Sequence, residues 1–99
     1  MKPACRYRFK NSDHLREASG TLLLAIVATQ GLHGEDSVRR DAAFAIDASI
    51  NVLLVYAATQ VGRDINAIFS RFATLEFGPE AFDVRLVETF DVLVLEVGR

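Results

Sequence analysis

Between Asp41 and Val61 the chain reads DAAFAIDASINVLLVYAATQV, and any fold it adopts has to bury most of that stretch. Ala42, Ala43, Ala45, Ala48, Ala57 and Ala58 are the best helix formers, with Leu53 and Leu54 close behind. Phe44, Ile46, Ile50, Val52, Leu53, Leu54, Val55 and Tyr56 cover most of a helical circumference, and a helix apolar nearly all round is a buried one. The expectation is a central helix over 41–61, stopping at Gly62. Its polar exceptions, Asp47 and Asn51, are four residues apart and share one helical face. They read either as a register-setting pair in a helix interface or as a solvated edge.

The flanking segments are arranged around this element. Over residues 4–10, Cys5, Tyr7 and Phe9 alternate with Arg6, Arg8 and Lys10, the pattern of a half-buried strand with a basic outer face. Asn11, Ser12 and Asp13 then offer three helix N-caps in a row. Leu15, Ala18, Leu22, Ala25, Ile26 and Thr29 keep helical spacing, which predicts a first helix over about 13–30. A rival reading makes Thr21 to Thr29 a buried strand bounded by Gly20 and Gly31. The run Gly31-Leu32-His33-Gly34 closes the helix, and one of its glycines is expected to take a left-handed conformation as C-cap. Asp36-Ser37 caps the next helix, so helices one and two are expected to pack as an antiparallel hairpin.

Past Gly62, Asp64 is read as the cap of a third helix, Ile65 to about Glu76, with Gly78-Pro79 as its stop. In the final stretch 82–97, Val84, Leu86, Phe90, Val92 and Val94 share one parity while Asp83, Arg85, Thr89 and Asp91 share the other. This valine-rich alternation favours a strand, although the same residues also fit a helix. If the terminal strands pair, Asp83 and Asp91 complement Arg6 and Arg8. The expected fold is therefore α+β and mainly helical, one domain over 1–99: a helical hairpin, a third helix, and short N- and C-terminal strands able to pair.

Composition narrows the function. The 99 residues are 51% hydrophobic with a net charge of −2. A chain of this length hides only roughly 60–65% of its unfolded surface, so surplus apolar surface points to self-association. The mild acidity argues against nucleic acid as the main partner. A single cysteine, Cys5, cannot form an internal disulfide, and the N-terminal MKPACRYRFKN lacks the apolar core of a signal peptide. Those features, with no apolar run of membrane-spanning length, predict a cytoplasmic protein without membrane contact. Lys2, Arg6 and Arg8 surround Cys5 in sequence and could favour its thiolate. His33, Glu35 and Asp36 form a polar loop cluster of ordinary turn chemistry. If His14 and His33 both lie on the first helix they are about 28 Å apart and cannot share a metal. No nucleophile triad, glycine-rich phosphate loop or metal-ligand spacing occurs, so neither an enzyme nor a cofactor is expected.

One segment does have a likeness. Gly62, then Phe69-Ser70-Arg71, then Phe77-Gly78 and Val84-Arg85 are similar to the second helix-turn-helix of AraC-type transcription regulators. The likeness covers about a quarter of the chain and departs from the family at Arg63, where an aromatic is usual, and at Ala73, where a core phenylalanine is usual. It implies a small DNA-binding regulator using a helix-turn-helix at 52–77, with Arg63, Asn66, Ser70 and Arg71 at the DNA. The leading expectation remains a protein-binding module, an adaptor, inhibitor or accessory regulator. It would pair with itself as a homodimer or larger, and with another protein, through apolar helix surfaces that include Leu23, Val27, Asp47, Asn51 and Leu54.

Overall fold

A computed structural model describes residues 2–88. The elements run β1 (Ala4–Phe9), α1 (Ser12–His33), α2 (Glu35–Asp41), β2 (Phe44–Asp47), β3 (Val52–Tyr56), α3 (Gln60–Phe77) and β4 (Phe82–Val87). The strands form one antiparallel sheet in the order β2-β3-β1-β4. This is the strand order and connectivity of the ferredoxin-like split β-α-β arrangement, a fold that hosts many unrelated functions.

The central helix expected over 41–61 does not form. A β-hairpin, β2–β3, occupies that stretch, so the expected hairpin of helices one and two is not built, and α1 packs antiparallel against α3 instead. The reason lies in its turn. Asp47 accepts hydrogen bonds from the backbone N–H and the hydroxyl of Ser49, and Asn51 sits at φ 57, the short-side-chain chemistry of a turn. Asp47 and Asn51 thus flank a hairpin loop instead of lining a helix. β3 is apolar on both sides because both of its sides are buried. Leu53 and Val55 join the core under the helices, while Val52 and Leu54 pack with Ala4 and Ala45 on the other face. A strand buried on both faces carries a continuous apolar run, which periodicity alone does not separate from a buried helix.

Several other expectations hold. β1 alternates as read, with Cys5, Tyr7 and Phe9 on the helical side. Asn11 caps α1 by accepting from the His14 N–H at 2.8 Å. Gly34, at φ 87, ends α1 with its N–H bonded to the Gln30 carbonyl, whereas Gly31 stays inside the helix. The terminal strands do pair, Arg8 opposite Asp83 and Arg6 opposite Arg85. β4 runs to Val87 and Glu88 is already outside the strand; residues 89–97 of the expected strand, Asp91 among them, lie outside the described residues.

The third helix starts five residues earlier than expected, because Thr59 and not Asp64 is its cap. The Thr59 hydroxyl accepts from the Gly62 N–H and donates to the Asp41 carbonyl, both at 3.0 Å. Gly62, read as a stop, is buried in the first turn of α3. A β-carbon there would collide with the Tyr56 carbonyl, so only glycine lets the helix leave the sheet at this angle.

The main core lies between the sheet and the two long helices. Leu15, Ala18, Leu22 and Ala25 of α1 and Val61, Ile65, Phe69 and Ala73 of α3 close over Tyr7, Phe9, Leu53, Val55 and Phe82. Tyr7 meets Phe69 edge to face at 4.8 Å between centroids, a favoured aromatic geometry. Among the described residues no helix is long and apolar enough to cross a membrane.

Candidate functional site: exposed apolar helix surface and basic sheet face

Helix α1 buries one stripe, Leu15, Ala18, Leu22, Ala25 and Thr29. Its sequence is apolar on the opposite stripe as well. Leu23, Leu24 and Val27 are 57%, 64% and 61% exposed. Across from Leu24, α3 adds the exposed Phe72 and Leu75, and these side chains line a shallow groove of about 470 Å³ together with Thr21 and Glu76. The Thr21 hydroxyl donates to the Glu76 carboxylate across this groove. Gly20 and Gly31 lie on the same α1, and a β-carbon at either would meet nothing within 4 Å. The fold itself therefore has no steric need for glycine at these two positions, where alanine would favour the helix by ~1 kcal/mol.

The expected interface residues separate in space. Leu23 and Val27 share the exposed stripe of α1. Asp47 and Asn51 belong to the β2–β3 turn, and Leu54 is 3% exposed within the sheet. Of the residues implied by the regulator likeness, Arg63 and Arg71 are exposed, Ser70 is partly so, and Asn66 is buried. Residues 52–77 form a strand followed by one helix packed on the sheet, so the helix-turn-helix geometry is not present.

Asn66 has a structural task. The buried Tyr7 hydroxyl donates to its Oδ1 at 2.6 Å, and its amide donates to the Gly62, Val55 and Tyr56 carbonyls. Burial pushes the Tyr7 hydroxyl far above its usual range, which holds it as a neutral donor. Cys5 lies beside it on the same side of β1. Burial raises the thiol's pKa, and the hydrogen bond with Tyr7 offsets this only in part. Thiolate character from neighbouring cations is therefore not what the structure supports: Arg6 and Arg8 follow the opposite parity and occupy the far face of the sheet.

The loop histidine also finds a structural partner. His33 Nε2 lies 2.6 Å from Asp64 Oδ2, joining the end of α1 to α3. That hydrogen bond, followed by one from Gln60, holds the Asp64 carboxyl below its usual value.

On the sheet face away from the helices, Arg6, Arg8, Asp83, Arg85 and Val87 line a second depression of about 420 Å³. Arg6 and Arg85 stand directly opposite each other in the β1–β4 ladder, an arrangement of like charges that weakens a sheet. Sequence reading found the arginines of β1 but not this opposition, which depends on the β1–β4 register. Comparison with known proteins finds no family, no curated protein and no solved structure that matches the chain.

Proposed function

We propose that this protein is a binding module and not an enzyme, an adaptor or accessory regulator that engages another protein through the outer surface of its helical layer and also associates with itself. One observation carries the reading: Leu23, Leu24 and Val27 of α1 are each more than half exposed and are extended by Phe72 and Leu75 of α3. Contiguous apolar surface of this kind is what partner-binding sites present. The groove between the helices suits an apolar segment of the partner, with Leu24, Phe72 and Leu75 as its walls. A cytoplasmic setting belongs to the same proposal, in keeping with a lone cysteine that has no internal partner. Of the residues implied by the regulator likeness, a nucleic-acid role would keep Arg63, Ser70 and Arg71, since Asn66 is turned into the sheet.

The test uses the exposure of these residues, which lets them change without emptying the core. Wild type and the Leu24→Asp/Val27→Asp variant are immobilised and exposed to the same native lysate, after circular dichroism has shown equal folding. Proteins retained by wild type and lost from the variant support the reading. Identical retention on both overturns it.

A further inference from the structure

We propose that two copies of this chain join edge to edge through β4, antiparallel about a two-fold axis at Val84, so that their sheets become continuous. This rests on the self-association proposed above and assigns it a surface, the sheet edge in place of the helices.

The sheet order leaves β4 at an edge among the described residues. An edge strand presents unpaired backbone groups and is a ready template for another strand. Hydrogen bonding identifies which groups those are. The Phe9 N–H donates to the Asn51 carbonyl and the Lys10 N–H to the Ala81 carbonyl. Phe9 therefore turns its backbone toward β3 and Lys10 turns toward β4. Backbone direction alternates along a strand, and Phe9 is registered with Phe82. It follows that Asp83, Arg85 and Val87 bond inward to β1, while Phe82, Val84 and Leu86 aim their N–H and C=O groups outward.

Now place a second β4 antiparallel, with Val84 opposite Val84 of the copy. Phe82 then faces Leu86 of the copy and Leu86 faces its Phe82. Every outward donor and acceptor of the three residues finds a partner. The same register places Asp83 opposite Arg85 of the copy, and Arg85 opposite its Asp83. Two ion pairs form on the sheet face away from the helices, in the directly opposed positions where cross-strand pairs interact most strongly. On the helical side, Val84 and Leu86, 48% and 64% exposed in the single chain, gain apolar neighbours across the seam. The opposition of Arg6 and Arg85 is also relieved, because each Arg85 gains a carboxylate on its other side. A shift by one residue would put Asp83 opposite Leu86 and Val84 opposite Arg85, losing both sets of matches.

Self-complementarity of this kind is what a two-fold interface requires, and it makes the test specific. Asp83→Arg creates an all-arginine edge, and Arg85→Asp an all-aspartate edge. Each is expected to weaken self-association by about tenfold or more, through two cross-strand pairs turned from attraction to repulsion. An equimolar mixture of the two variants restores both pairs and is expected to form a heterodimer. Size exclusion with light scattering reads the masses against the 10.9 kDa of one chain, with thermal melts to show that each variant is folded. Wild-type dimers, monomeric variants and a dimeric mixture support the proposal. Variants that dimerise as wild type does overturn the edge assignment while self-association stands, and so do variants that stay monomeric when mixed. Wild type that remains monomeric throughout the dilution series overturns both, including the case in which residues 89–99 of the same chain occupy the edge.

Discussion

Gly62 shows how much a single hydrogen atom in place of a side chain can decide. The first turn of α3 runs so close to the end of β3 that a β-carbon at 62 would overlap the Tyr56 carbonyl. The same turn is bound from the other side, since the Gly62 carbonyl accepts from the buried Asn66 amide. Relief of the overlap would have to displace backbone that is tied to Tyr7 through Asn66. Gly62→Ala is expected to destabilise the fold by roughly 1–3 kcal/mol, the usual range for overpacking, despite alanine's better helix propensity. Denaturant titration decides the matter, and a midpoint at or above wild type would show that the crossing can relax. Asp64 contributes differently. Its lowered pKa means that its stabilising effect is complete above the ordinary aspartate value of 3.8 and is lost as pH falls through the folded-state value. Asp64→Asn should lower the melting temperature at neutral pH, and the gap to wild type should close in acid below that value. A gap that persists unchanged in strong acid would mean that the carboxylate charge contributes nothing.

At the level of elements, the parts written locally were legible and the parts written at long range were not. β1 announced itself through Cys5, Tyr7 and Phe9, since alternate residues face one buried side. α1 announced itself through spacing, the Asn11 cap region and the glycine at 34. The hairpin β2–β3 was hidden by its own burial: Val52 and Leu54 are covered as fully as Leu53 and Val55, which erases the period of two. The informative signal there was the pairing of Asp47 with Asn51 around Ala48-Ser49-Ile50, turn chemistry that a helical reading turned into a polar stripe. α2 was read as the opening of the second helix, with Asp36-Ser37 as its cap, whereas it is a separate short helix with Gly34 at its N-cap. For the candidate surface, Leu23 and Val27 could be recognised because α1 has more apolar residues than one buried stripe can use. The β4 edge could not, because an edge is a property of strand order, and strand order is decided by pairing partners far apart in the sequence.

For the whole molecule, the β4 proposal makes association and stability one quantity. If the native state pairs and the unfolded chain does not, apparent stability rises with protein concentration by mass action. The rise should carry a residue-level signature. Inward amides of β4, those of Asp83, Arg85 and Val87, are hydrogen-bonded to β1 in every state of the folded chain. Outward amides, those of Phe82, Val84 and Leu86, are bonded only across the seam. Amide hydrogen exchange followed by NMR is therefore expected to show alternate residues of one strand responding to dilution: slow exchange at 82, 84 and 86 when the dimer is populated, fast exchange when it is not, and little change at 83, 85 and 87. Partner binding on the outer face of α1 would leave this alternation untouched, because it reaches none of the β4 backbone. Uniform protection along β4 at every concentration would mean that the edge is already paired within one chain. Uniform fast exchange of the outward amides at every concentration would mean that no copy reaches it.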